Sequence, residues 1–113
     1  MKFYIYNTIA KKKEAFKPIV NGKVSLYTCG PTVYDFSHIG NFRTFVFEDL
    51  LKRWLLHLGY KIKHVMNITD VDDKTIQKSL SLNISLEKVT SKYISEFMSD
   101  IAWLDLHPAD YYP

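Results

Sequence analysis

Cysteine occurs once in this chain of 113 residues, at Cys29, while glycine and proline each occur four times. A single thiol excludes an internal disulfide framework and suits a reducing compartment, where it serves as a structural thiol, a metal ligand or a catalytic group. No apolar run approaches the roughly 20 residues of a membrane span. The opening Met1-Lys2-Phe3-Tyr4-Ile5-Tyr6-Asn7 lacks the layout of a signal peptide. A cytoplasmic location and no membrane partner are therefore expected. Internal repeats, low-complexity tracts and linkers rich in Pro, Gly or Ser are also missing, so nothing divides the chain into two domains. A strong charge imbalance is absent as well: the formal charge of +3 permits a polyanionic partner without requiring one. The one dense basic run, Lys11-Lys12-Lys13, reads as a solvated loop. What the chain does have is 47% hydrophobic and 24% charged residues, enough for a modest core and incompatible with disorder.

The hydrophobic pattern places the elements. Val24 to Thr28 alternates as a strand ending at Cys29, and Gly30-Pro31 breaks it. From Asn41 to Leu58, Phe42, Phe45, Val46, Leu50, Leu51, Trp54, Leu55 and Leu58 recur at three- and four-residue spacing. Arg43, Glu48, Asp49, Lys52 and Arg53 fall on the other side, which predicts an amphipathic helix stopped by Gly59. Lys61 to Ile68 alternates as a second strand. Strand, helix and strand span the ~30 or more residues of a βαβ unit, with parallel strands and a right-handed crossover. A short helix over Lys74–Leu80 follows, then another from Ser85 with a core stripe of Leu86, Val89, Tyr93, Ile94, Phe97, Ile101 and Leu104; Met98 and Trp103 read as core too.

Chemistry concentrates between the first strand and the long helix, in Tyr27-Thr28-Cys29-Gly30-Pro31-Thr32-Val33-Tyr34-Asp35-Phe36-Ser37-His38-Ile39-Gly40-Asn41. That junction is where α/β proteins bind nucleotides, because the helix N-terminus offers N–H groups and positive dipole to a phosphate. His38 can donate to a phosphate oxygen, Gly40 allows close backbone approach, and Asn41 can donate or cap the helix. A lone His-x-Gly-Asn is more often a helix start with a chance histidine; the surrounding run reverses that preference. Cys29 could ligate zinc, but no second cysteine exists and none of His38, His57, His64 and His107 has a co-ligand's spacing. Taken alone, Cys29 reads as a buried thiol. Thr69, Asp70, Asp72 and Asp73 follow the second strand. There they could meet magnesium or a substrate amine, or stabilise a helix dipole with no ligand at all.

The combination resembles the cysteinyl-tRNA synthetase family, within the class I aminoacyl-tRNA synthetases. The residues that carry it are Tyr6-Asn7-Thr8, Phe16-Lys17-Pro18, the run from Tyr27 to Asp35, His38-Ile39-Gly40-Asn41, Arg43-Thr44-Phe45, and Asn67-Ile68-Thr69-Asp70-Val71-Asp72-Asp73-Lys74. The resemblance implies an α/β fold, a Rossmann-type parallel sheet with crossover helices forming the first half of a class I catalytic domain. It implies condensation of cysteine with ATP, as its Mg2+ complex, to cysteinyl-adenylate and pyrophosphate, then transfer to tRNA(Cys). His38, Ile39, Gly40 and Asn41 fall on the family's ATP-binding HIGH signature, with Asn41 in place of the final histidine; His38 and Asn41 are the candidate catalytic pair. Cys29 falls on the first ligand of a zinc ion that binds the substrate thiolate, and Gly30, Thr32 and Thr69 fall near the bound amino acid.

The other zinc ligands, the KMSKS loop and an anticodon-binding region are not among these residues. The resemblance thus implies an N-terminal piece of the catalytic domain, residues 1–113, approaching the family's connecting insertion, inactive alone and part of a monomeric enzyme. Two enzymes compete: a nucleotidylyltransferase of the HxGH type, echoed by Asp35 to Asn41, and the cysteine ligase of mycothiol synthesis. A complete small binding domain is the non-enzymatic alternative, weakened by the exposed edge that so small a sheet would leave.

Overall fold

The computed structural model describes residues 2–113 and is mixed α/β. Strands β1 (Tyr4–Asn7) and β2 (Lys12–Ala15) form an antiparallel hairpin. Strand β3 (Lys23–Thr32), helix α1 (Ile39–His57) and strand β4 (Lys61–Thr69) form the βαβ unit, and helices α2 (Asp73–Leu82) and α3 (Leu86–Trp103) follow. β3 and β4 pair in parallel as expected, Cys29 opposite Asn67 and Thr32 opposite Thr69. Beyond α3 the chain returns along the other side of β4, where the Met66 N–H donates to Tyr111 O at 3.0 Å.

Several sequence expectations are corrected. β3 does not stop at Cys29 but runs through Gly30 and Pro31, with its register shifted between Cys29 and Thr32. Proline has no N–H for the ladder, and a slipped register is where its lack is tolerated. The hairpin was not foreseen; Lys12 and Lys13 lie in β2 rather than in a loop, and Lys11 holds the positive φ of 52° at the turn before it. The charged side of α1 is not all solvent-facing: Asp49 and Lys52 are buried and Glu48 is half-buried, while Val46 and Leu50 are exposed. The cause is the segment after α3. Its His107 N–H donates to Asp49 Oδ1 at 2.9 Å, and Lys52 Nζ donates to Pro108 O at 2.6 Å.

The core has two connected parts. Phe42 and Phe45 of α1 meet Met66 of β4 and Phe97 and Ile101 of α3, the Phe45 and Phe97 rings packing edge to face with centroids 5.1 Å apart. Val33, Val89 and Tyr93 form the second cluster and fix the chain beyond β3 against α3. Burial of each large side chain contributes about 1.5–3 kcal/mol, so the loop joining β3 to α1 is held at both ends. The α3 stripe buries Val89, Tyr93, Phe97 and Ile101 as anticipated, but Leu104 and Trp103 are exposed, Trp103 by 84%, and are not core.

Candidate functional site

The first turn of α1 is built by a reciprocal cap. His38 is the N-cap residue, and its Nδ1 accepts from the Gly40 N–H at 3.0 Å. In return Asn41 Oδ1 accepts from the His38 N–H at 3.0 Å. This answers which residue caps: His38 occupies the cap, with Asn41 closing the box from the third helical position. It also fixes the tautomer of the neutral ring. With Nδ1 accepting, the neutral imidazole carries its proton on Nε2. The cap leaves two kinds of outward donor, His38 Nε2–H and the Asn41 Nδ2 hydrogens. A Cβ on Gly40 would stand 2.8 Å from His38 Cε1 and 3.0 Å from Nδ1, so a larger residue here would push aside the ring that caps the helix.

A small polar cavity of about 160 Å3 opens beside this turn, lined by Thr32, Tyr34, Asp35, His38, Asn41 and Lys74 among others. Sequence reasoning gave no role to Tyr34, Asp35 or Lys74. The available signal was their position inside the two runs that flank the strand ends. Lys74 reaches the cavity from α2 with its Nζ 5.2 Å from the centre of the Tyr34 ring. Asp35 accepts from the Phe36 N–H at 2.9 Å and pairs with Lys78 at 3.3 Å. That backbone bond, with Lys78 and Lys92 adding to it, holds the Asp35 carboxyl below its ordinary range.

The remaining expected residues lie further back along the strands. Thr69 sits opposite Thr32, and its carbonyl accepts from the Val33 N–H at 3.1 Å. Gly30 donates its N–H to Asn67 Oδ1 at 3.3 Å, and Asn67 Nδ2 in turn donates to Thr69 Oγ1 at 3.2 Å. A Cβ on Gly30 would lie 2.0 Å from Asn67 O and 2.9 Å from Met66 Cγ. The glycine is therefore explained by packing of β3 on β4, whatever else binds nearby. Cys29 is exposed rather than buried, with a single long contact from its Sγ to Gly30 O at 3.7 Å. Among the described residues no three His, Cys, Asp or Glu side chains gather as a metal cluster. Cys29 therefore belongs to no such cluster among the described residues. Gly30 and Pro31 separate Cys29 from Thr32, and Cys29 and Thr32 lie opposite Asn67 and Thr69, two residues apart on β4, so roughly 7–10 Å of strand lies between them. The site is elongated, with the thiol at one end and the donors of the α1 turn at the other. Asp72 and Asp73 serve α2: Asp72 is its N-cap, accepting from the Lys74 N–H at 2.8 Å, and Asp73 lies in its first turn.

Residues 15–113 match the family described as the catalytic domain of class I (C) tRNA synthetases. The chain is 59% identical over 112 residues to the cysteine–tRNA ligase of Chlamydia caviae, covering 99% of the chain and 23% of that protein. It is 61% identical over 110 residues to the same-named protein of Chlamydia felis, covering 97% of the chain. With that of Methanococcus vannielii it shares 50% over 109 residues, 96% of the chain. The chain spans about a quarter of the length of these curated relatives, 23% in each case.

Proposed function

The chain belongs to the class I (C) tRNA synthetase catalytic-domain family, and on that premise we propose that it forms the first part of a cytoplasmic enzyme that activates cysteine and esterifies it to tRNA(Cys). In the first step the cysteine carboxylate attacks the α-phosphorus of Mg-bound ATP and the bond to the β-phosphate breaks, releasing pyrophosphate. In the second a hydroxyl of the terminal tRNA ribose attacks the acyl carbon and AMP leaves.

The observation that carries the reading is that three residues with donor groups, His38, Asn41 and Lys74, line one polar cavity at the carboxyl end of a parallel strand, with Asp35, already paired with Lys78, in the same wall. Negative charge builds on the α-phosphate oxygens during attack. Fixed donors lower that barrier without reorganising, which is electrostatic catalysis. His38 serves here as a donor through Nε2–H, because its other nitrogen is committed to the helix. At the far end the exposed thiol of Cys29 suits a soft metal and would supply one of its ligands. When bound, a zinc ion would take the substrate thiolate, a bond that serine cannot form. Thr32 and Thr69, paired across β3 and β4, lie between the two ends, where the amino acid's backbone groups would rest.

The test is cysteine-dependent exchange of pyrophosphate into ATP by the full-length protein, with serine as control, before and after chelation. Exchange with cysteine alone, lost on chelation, is expected. No exchange by a folded, zinc-loaded protein would discard the reading. Acylation of tRNA(Cys) then separates it from transfer of cysteine to an amino sugar.

A further inference from the structure

A small pocket of about 10 Å3 lies between α1, β4 and the chain after α3, with Glu48, Asp49, His64, Met66 and Tyr112 in its wall. His64 is 2% exposed, and its Nε2 lies 2.9 Å from Thr28 Oγ1. Its Nδ1 and Glu48 Oε2 are both buried and have no hydrogen-bond partner among the protein groups. Other polar atoms in the wall are engaged: Asp49 accepts from His107 N–H and from Arg53 Nε. Two buried polar atoms left unpaired at one void cost on the order of 1–3 kcal/mol each, and native interiors rarely tolerate that.

Burial raises the Glu48 carboxyl above its ordinary range, with the nearby Thr28 hydroxyl working the other way. The Thr28–His64 contact takes its hydrogen from either side, according to the tautomer, and we take the tautomer with the proton on Nε2, in which Thr28 Oγ1 accepts. His64 Nδ1 is then an acceptor, as is Glu48 Oε2. One water has two hydrogens to give, and about 10–15 Å3 is the space that a single water needs. The hydroxyl of Tyr112 accepts from the Ala109 N–H at 2.8 Å, so its own hydrogen is available to the water oxygen.

We propose that this void is a binding site for one ordered water molecule, which donates to His64 Nδ1 and to Glu48 Oε2 and closes a buried chain from α1 through β4 to Thr28 of β3. Thr28 immediately precedes Cys29 on the opposite face of the strand, so the chain fixes the strand end from which the candidate site begins. The inference does not depend on the enzymatic reading.

It is tested on the full-length protein by a crystal structure at a resolution that orders solvent, together with the 15N NMR signature of His64. A single water within hydrogen-bond distance of both atoms, and an Nε2–H tautomer, are expected. A dry void, a direct contact between Glu48 and His64, a metal ion in place of the water, or an Nδ1–H tautomer would each overturn the proposal. In the His64→Phe variant the water should be lost; its retention would also count against the site. Should that variant fail to fold, the wild-type measurements still decide.

Discussion

Replacing His38 by asparagine separates two tasks that one imidazole performs. His38 Nδ1 caps α1 by accepting from the Gly40 N–H, and Nε2–H is the proposed donor to the α-phosphate. His38→Ala removes both. Loss of the cap costs about 1 kcal/mol, a small part of the roughly 5–15 kcal/mol that holds a domain folded, so the variant stays native and its activity reports chemistry. Removing one preorganised transition-state donor lowers turnover by ~10²–10³-fold. Asparagine restores the cap through its own side-chain oxygen but has no second nitrogen on the far side of a ring. His38→Asn should therefore recover the stability lost in His38→Ala while leaving adenylate formation just as slow. Denaturant unfolding reads the first effect, and cysteine-dependent pyrophosphate exchange by the full-length protein reads the second. Cysteine affinity should change little in either variant, because the contact strengthens only as the phosphate gains charge. Exchange by His38→Asn within about threefold of wild type, well short of the loss expected for a missing donor, would show that capping is the whole role of this histidine.

Three further outcomes are expected. Cys29→Ser should lower the zinc content of the full-length protein and its preference for cysteine over serine; unchanged metal content by elemental analysis would remove Cys29 from the ligand set. Gly30→Ala should destabilise by about 3 kcal/mol, the upper end for overpacking, because its Cβ meets the immovable Asn67 carbonyl 2.0 Å away. A loss below about 0.5 kcal/mol by urea unfolding, the scale of an ordinary surface change, would mean that the strands part easily. Burial, reinforced by Lys52 and opposed by Asp110 and Asp49, holds His64 below its ordinary value of 6.5, so stability falls as the pH drops below that value and the unfolded chain takes a proton the native one resists. Burial raises Glu48 above 4.5, so the native state gains a proton first and recovers stability over the window descending to that value. Glu48→Gln should consequently steepen the decline in melting temperature between neutral and mildly acidic pH; an unchanged slope would refute the opposition.

The βαβ unit was legible because its signals are local: alternation in β3 and β4, and three- and four-residue spacing in α1. Two of the misplacements involve a partner distant in sequence. Asp49 and Lys52 carry charge and were assigned to water, yet they receive His107 and Pro108 from 58 and 56 residues away. No periodicity within the helix encodes that arrival. Gly30-Pro31 looks like punctuation on any local reading, but β4 keeps β3 extended through it by shifting register. At the site, His38 and Asn41 were legible as residues and Lys74 was not. It reaches the cavity from α2, and only the fold makes α2 a neighbour of that turn.

The choice of histidine at the start of α1 is itself informative. Serine, threonine, aspartate and asparagine are the preferred N-cap residues, and each offers its oxygen to the helix with little left to present to solvent. An imidazole is a poorer cap, but it is rigid and two-ended: once Nδ1 accepts from the backbone, Nε2 must be a donor, and its direction is set by the helix itself. Asn41 follows the same logic, with its oxygen turned inward to the His38 N–H and its two amide hydrogens left over. A helix start built only for stability would have no reason to leave donors on both side chains facing one polar cavity. The same hydrogen bonds that end the helix thus aim the groups proposed to meet the phosphate, and a substitution that keeps the cap while removing the aim is the one that tells stability from chemistry.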